Sequence, residues 1–363
     1  MALMLSEIEW SEPIVPRAQD PGWEAEIKRR GGRVFEIDRR VAPSVWLRET
    51  CFAVTAFRAS TLPERLLNIG AMVTSQENSC RYCYGANRAY LKILGYSESF
   101  LGRIERDVHL AELDEKERAF IAFCRNLARS RPRPALAERD ALVRLGFPQI
   151  AVHEMALHIA DLCFYNRVGM LMACPPELGF ERMADGPIGR LIALAAPLAR
   201  LVAPKRGPAT DPSITAARLA AGPFGPILAP LAGLPGAMIV KNGLDGAFAS
   251  RVLSPAVKAL MFAVVARTLA CRPSEREART ILRAEGFGDA AIDEALATLG
   301  SSRLPAGEAR LLPWVRDTVH YQTGPLQKQT RALAAAIGAP AALEAIGVAA
   351  LANATVRLAM LVE

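Results

Sequence analysis

Along most of this chain the apolar residues recur at three- and four-residue spacing, the period of a helix with one buried face. Trp46, Leu47, Cys51, Val54 and Phe57 set the first such run, which predicts a helix from 43 to about 60. Further helices are predicted over 62–74, 80–95, 97–105, 114–128 and 134–145, and a long, largely apolar one over 148–172. Their stops are glycines and prolines: Gly95, Gly146 and the Pro175-Pro176 pair. Period-two alternation with hairpin turns is absent, so the pattern predicts an all-α fold. Residues 1–42 carry scattered prolines and Gly31-Gly32 without a sustained period, and read as an extended arm on the body. Residues 204–231 hold short apolar pieces among prolines and glycines, with the clearest break at 204–208, and read as a linker.

Beyond that linker the first half recurs. At an offset of 191, Ala56-Phe57 falls on Ala247-Phe248, Cys80-Arg81 on Cys271-Arg272, and Gly95-Tyr96 on Gly286-Phe287. Leu62, Leu91, Leu113, Glu117 and Arg125 meet Leu253, Leu282, Leu304, Glu308 and Arg316 at the same offset. Small length changes then bring Gly146-Phe147-Pro148 onto Gly338-Ala339-Pro340 and Arg167 onto Arg357. Identities in this order, with helix starts and stops in step, argue for duplication. The expected organisation is a helical domain at 43–203 and a second copy at 232–363, packed as a pseudo-dimer within one chain.

Composition narrows the function. The 363 residues suggest two domains, because single cores rarely grow past about 250–300 residues. The net charge of +7 comes from scattered basic residues; the short clusters Lys28-Arg29-Arg30, Arg39-Arg40 and Lys205-Arg206 are not interleaved with aromatics. A nucleic-acid partner is therefore not expected. The longest apolar stretch, 191–202, is broken by Pro197 and Arg200 and is not expected to span a bilayer; no membrane partner is expected. Seven cysteines without regular spacing, most within apolar helical patterns, fit a reducing cytoplasm. The N-terminus is too short and too soon acidic to read as a signal peptide.

The chemistry concentrates at Cys80-Arg81-Tyr82-Cys83, the one Cys-x-x-Cys pair. Ser79 reads as an N-cap, so both cysteines share one face of a first helical turn. Unpaired N–H groups there favour thiolate over thiol, and the spacing permits a reversible disulfide. The same pair could be two buried small thiols or half a zinc site, but zinc normally takes four ligands and no second pair is present. No cofactor or metal is expected. In the second copy Cys271 persists, while Ser274 stands where Cys83 stands in the first.

Ser75-Gln76 followed by Cys80-Arg81-Tyr82-Cys83, in an all-helical body, resembles the AhpD-like alkylhydroperoxidase and carboxymuconolactone decarboxylase superfamily. The segments 114–120 and 165–168 resemble its downstream helices. The likeness covers about 43–180 directly and 232–363 only through the repeat. It implies a thiol-dependent peroxidase in which Cys83 attacks a hydroperoxide, Cys80 closes the disulfide, and an external thiol reductant resets it. It also implies homo-oligomers and no metal or haem.

Two positions depart from the family pattern. Asn68 stands where the family has a glutamate, and Asn87 where it has a histidine one turn beyond Cys83. Asparagine cannot accept a proton at neutral pH. Glu77, beside the motif, and His158 or His153, on the long apolar helix, are the candidate replacements; His109 and His320 are less favoured. Arg81 is a candidate to stabilise a thiolate, and Tyr82 and Tyr84 to wall the pocket. The alternative function is a redox-responsive or structural interaction protein that kept the scaffold without efficient catalysis. Lactone decarboxylation is the weakest reading, resting on shared fold alone.

Overall fold

The computed structural model describes residues 2–57, 59, 61–107, 110–130, 136–202 and 210–361, and it contains helices and no strand among them. The all-α expectation holds. Two short helices, α1 (Pro21–Arg29) and α2 (Glu36–Val41), precede α3 (Val45–Ala56). Then come α4 (Glu64–Glu77), α5 (Arg81–Ile93), α6 (Glu98–Arg106), α7 (Glu115–Arg129), α8 (Leu136–Arg144) and the long α9 (Gln149–Leu171). Helices α10 (Leu178–Asp185) and α11 (Pro187–Val202) close the first half. The short α12 (Ala216–Ala220) and α13 (Gly225–Leu228) lead into α14 (Pro235–Ala249), α15 (Pro255–Thr268) and α16 (Arg272–Ala284). The chain ends with α17 (Asp289–Thr298), α18 (Ala306–Ala309), α19 (Leu311–Asp317), α20 (Thr323–Ile337) and α21 (Ala339–Ala359).

Two sequence expectations need correction. Residues 1–42 are not an extended arm: α2 buries Glu36, Ile37, Asp38, Arg40 and Val41, and Trp23 and Ile27 of α1 form a small core with Ala42 and Phe52. Six residues of α2 are too few for a periodicity signal, and its buried charges read as surface. The described part of 204–231 is not a linker either. Ile214, Leu219, Phe224, Ile227, Leu228 and Leu231 are buried, and Phe224 stacks on Phe262. The break expected at 204–208 and the helix start at Pro134 lie outside the described residues, as does His109.

The helix bounds repeat. α15 and α16 begin and end 191 residues after α4 and α5. Ser79 and Ala270, the residues before each copy's cysteine, both take left-handed backbone, with φ of 45° and 52°. The single helix α7 is matched by two pieces, α18 and α19, which meet near Arg310. The two halves do not keep separate cores: one hydrophobic cluster runs from Ile8 to Leu361. Its centre is α9 packed along α21, with α3 against α14 beside it. α21 is long and apolar enough to cross a membrane, but 83% of that stretch is buried in protein.

Two arginines pin the α9–α21 contact. Arg167 of α9 donates Nε–H to the Thr318 carbonyl (3.3 Å) and Nη1–H to Asn78 Oδ1 (3.1 Å). Arg357 of α21 donates Nε–H to the Ala128 carbonyl (3.2 Å) and Nη1–H to Asn353 Oδ1 (2.7 Å). Each reaches the C-terminal end of a helix in the opposite half, where the dipole favours a cation. Both also donate to the Val319 carbonyl, and both are buried. Burial, with Arg167 beside it, pulls the Arg357 guanidinium down to about 9. Arg357→Ala would strand these carbonyls, at about 1–3 kcal/mol for each one left unpaired. The expected loss is at least ~3 kcal/mol in denaturant unfolding. Arg167→Ala with Arg357→Ala should cost more than the sum of the two, because the Val319 carbonyl they share is left unpaired only when both are gone.

Candidate functional site

The dithiol sits on the turn between α4 and α5. α4 ends at Glu77; Asn78 and the left-handed Ser79 then reverse the chain, and Cys80 N–H returns to the Ser75 carbonyl (3.1 Å). The expected N-cap role of Ser79 passes to Cys80. A left-handed residue cannot aim its side chain back at the helix start, whereas the Cys80 backbone is extended and its Sγ accepts the Cys83 N–H at 3.3 Å. The Cys80 thiol lies 2.7 Å from Cys83 Sγ and donates to it. Both residues are buried, at 0% and 3% exposure. The lid over them is Gly169, near the end of α9: a Cβ at that position would stand 3.5 Å from each sulfur. Alanine fits there, and a β-branched residue would push into both sulfurs.

Burial dominates the electrostatics. It pushes the Cys83 thiol well up, helped by its bond with Cys80 and by the nearby Cys174 and Cys51. Tyr82 and Tyr165 beside it are pushed up for the same reason. The exception is Asp38 of α2, a carboxyl raised by burial only to about 6. Its charge is felt by Tyr165 and Cys51, and Tyr165 in turn senses Cys83. Asp38 was invisible in the sequence because it lies in the supposed arm. Gly169 was equally silent, being one small residue in an apolar run.

The sequence-named residues disperse. Asn87 stays near the motif and donates Nδ2–H to Ser75 Oγ (3.0 Å), while that hydroxyl lies 3.2 Å from Asn166 Oδ1. An amide–hydroxyl–amide network therefore occupies the turn beside the dithiol. Asn68, half-buried on α4, makes no hydrogen bond to either sulfur. Glu77 is buried and bound to Arg129 and Arg125 of α7, so it ties helices together rather than facing the thiols. His158 stacks on Phe57, with its Nε2 3.2 Å from the Leu67 carbonyl, and burial lowers it to about 4. It lies eleven residues before Gly169, about 16 Å along the helix axis. His153 is farther still, and His320 lines a cleft behind the turn.

Arg81 is held by Glu181 of α10 through two bonds of 2.7 and 2.9 Å, across a gap that only Gly85 leaves open. Tyr82 and Tyr84 are both buried, and Gly169 is 3.4 Å by the same Cβ measure from the Tyr82 ring. In the second copy Cys271 donates to Ser274 Oγ at 3.3 Å, both buried.

Two of the clefts among the described residues bear on these elements. One of about 880 Å³ is lined by Asn78, Ser79, Arg167, His320 and Tyr321, directly behind the dithiol turn. The other, about 780 Å³, runs between α3 and α14 and is walled by Trp46, Met238, Val252 and Leu343. Neither is lined by Cys80 or Cys83. Among the described residues no three histidine, cysteine or acidic side chains converge as metal ligands.

The Asp38 shift has a measurable sign. Its carboxyl titrates near 6 in the fold and near 3.8 when free. Between those values the folded chain keeps a proton that the unfolded chain has released, so stability falls as pH rises through the window. A shift of that size is worth about 3 kcal/mol. Asp38→Asn, which keeps an acceptor for the Phe35 N–H (2.8 Å), should flatten the slope and stabilise the protein at pH 7. Unfolding curves at several pH values check this. Comparison with protein-family models, curated proteins and solved structures finds no match to this chain.

Proposed function

We propose that this protein is a thiol-dependent peroxidase-type oxidoreductase, built from two tandem AhpD-like helical units packed as an intrachain pseudo-dimer. The observation that carries the reading is the pair of sulfurs 2.7 Å apart on a helix N-terminus, with one already accepting a main-chain N–H. Loss of two electrons and two protons from this pair closes a disulfide with little movement of either helix. In the cycle, a thiolate attacks the outer oxygen of a hydroperoxide, the O–O bond breaks, and the alkoxide leaves as alcohol on taking a proton. The resulting sulfenic acid condenses with the second thiol, releasing water. An external dithiol then reduces the disulfide and leaves oxidised.

The resemblance assigns attack to Cys83. Burial raises that thiol, and the main-chain N–H of the first turn reaches the Cys80 sulfur rather than its own. The tandem reading is supported by the coincident bounds of α4–α5 and α15–α16 and by the exchanged arginines.

The second reading is a redox-responsive or structural protein with weak catalysis. It is supported by the burial of both sulfurs and by the amide network in place of a proton relay. The two readings separate in a coupled assay. Hydroperoxide consumption driven by a small dithiol should fall at least ~100-fold in both Cys80→Ser and Cys83→Ser. Dimedone labelling of the two single variants identifies the attacking sulfur. Unchanged consumption in either variant overturns the peroxidase reading, and absent turnover in the native protein leaves the second. Asn68→Glu combined with Asn87→His should raise the rate at least ~10-fold by restoring a base and its orienting partner. A rate unmoved by that pair would place the missing base elsewhere.

A further inference from the structure

The cavity of about 780 Å³ between α3 and α14 stands apart from the dithiol. Its volume falls in the range of small-molecule sites, ~300–1,000 Å³. Val15, Val45, Met238, Val252 and Leu343 make its walls apolar, and Val45 and Val252 are exposed there, at 63% and 50%. The cavity is built around Trp46. A Cβ at Gly246 of α14 would stand 2.5 Å from the Trp46 Cβ, and one at Gly347 of α21 would stand 2.6 Å from the Trp46 ring. These glycines let the indole wedge between helices, where its Nε1–H donates to Glu344 Oε2 at 2.7 Å.

The polar groups on the walls restrict the occupant. Glu344, at 2% exposure, is the one buried charged residue among those lining the cavity. Lys258, fully buried, stands 2.8 Å from Glu344 Oε1 and neutralises it. Yet that oxygen receives no hydrogen bond among the described residues, and Lys258 donates instead to the Ala247 and Ser250 carbonyls at 2.6 and 2.9 Å. A buried carboxylate oxygen without a donor is unfavourable, and a ligand that brings one would be held. The other cations on the walls, Arg17 and Arg30, are bound by Glu36 (2.5 Å) and Glu49 (2.8 Å). With these charges matched, a carboxylate or ammonium entering the apolar space would lose its water and gain no counter-ion. A neutral hydroxyl escapes that penalty and can donate to Glu344. We infer that the cavity binds an uncharged, largely apolar alcohol, its hydroxyl on Glu344 and its hydrocarbon against Met238, Val252 and Leu343.

The test uses the full chain and the uncharged dye N-phenylnaphthylamine, whose emission rises in apolar sites. The dye should bind, and decanol should displace it at a concentration at least ~10-fold below that of decanoate or decylammonium. Decanol should also outcompete its isomer methyl nonyl ether, which lacks the O–H, by at least ~5-fold. Ala249→Trp fills the cavity from an exposed position on α14 and should weaken dye binding at least ~10-fold with an unchanged unfolding midpoint. Lys258→Met with Glu344→Leu removes the acceptor without stranding a charge, and should erase the preference for decanol over the ether. Should that double variant fail to fold, the ether comparison on the native protein still decides the role of the donor. A dye that does not bind, or that binds Ala249→Trp equally well, overturns the site. Equal displacement by the ether or by decanoate overturns the assignment to an alcohol. None of these outcomes depends on peroxidase activity.

Discussion

The rest of the structure depends on the contact of α9 with α21. Neither helix is amphipathic in the ordinary sense: each is buried over most of its length, and each needs the other half of the chain to cover it. That is why one core spans the molecule. The cost of so apolar a seam is that two long helices could slide along each other. Arg167 and Arg357 oppose this, since each bonds to main-chain carbonyls fixed at the end of a helix in the other half. Their partners are main-chain and asparagine oxygens, so the helix dipoles rather than paired carboxylates offset the buried charge.

The same helix closes the dithiol. Gly169 lies two residues beyond Arg167, and the arginine also bonds to Asn78, in the turn just before Cys80. Movement of α9 along α21 would therefore alter the lid over the sulfurs and the turn that presents them together. The site inherits its rigidity from the interface. Tyr321, from the second half, donates its hydroxyl to the Asn78 carbonyl, adding a further tie from that half to the turn. The second half of the chain, which holds no dithiol, still supports the turn in the first.

Local periodicity carried most of the architecture into view. The long helices α4, α5, α7 and α9 could be read from apolar spacing, and the 191-residue offset from matched stops such as Gly95 and Gly286, both with positive φ. The elements that could not be read are short or owe their burial to distant partners. α2 has six residues, yet Asp38 in it is a carboxyl whose charge reaches Tyr165 and Cys51. The apolar pieces after Thr210 look like linker until Phe224 meets Phe262, which no local pattern announces. The dithiol was legible because its chemistry lies in one helical turn. A proton acceptor for it was not: such a group would be chosen by three-dimensional approach, and His158 ends about 16 Å along the axis from the lid.

Comparing the two copies separates what the backbone needs from what the chemistry needs. Cys80 and Cys271 sit in nearly the same conformation, φ −87° and ψ 95° against φ −92° and ψ 95°, each after a left-handed residue. The second copy carries no dithiol and still keeps this turn, so the turn itself is a folding requirement and a small side chain at its N-cap satisfies it. Cys271 differs in one respect: its sulfur faces the hydroxyl of Ser274 and accepts no capping N–H. The residue at the third helical position therefore distinguishes a lone buried thiol from a dithiol pair. On the proposed peroxidase reading, Cys83, rather than the motif as a whole, is the position that decides between the two.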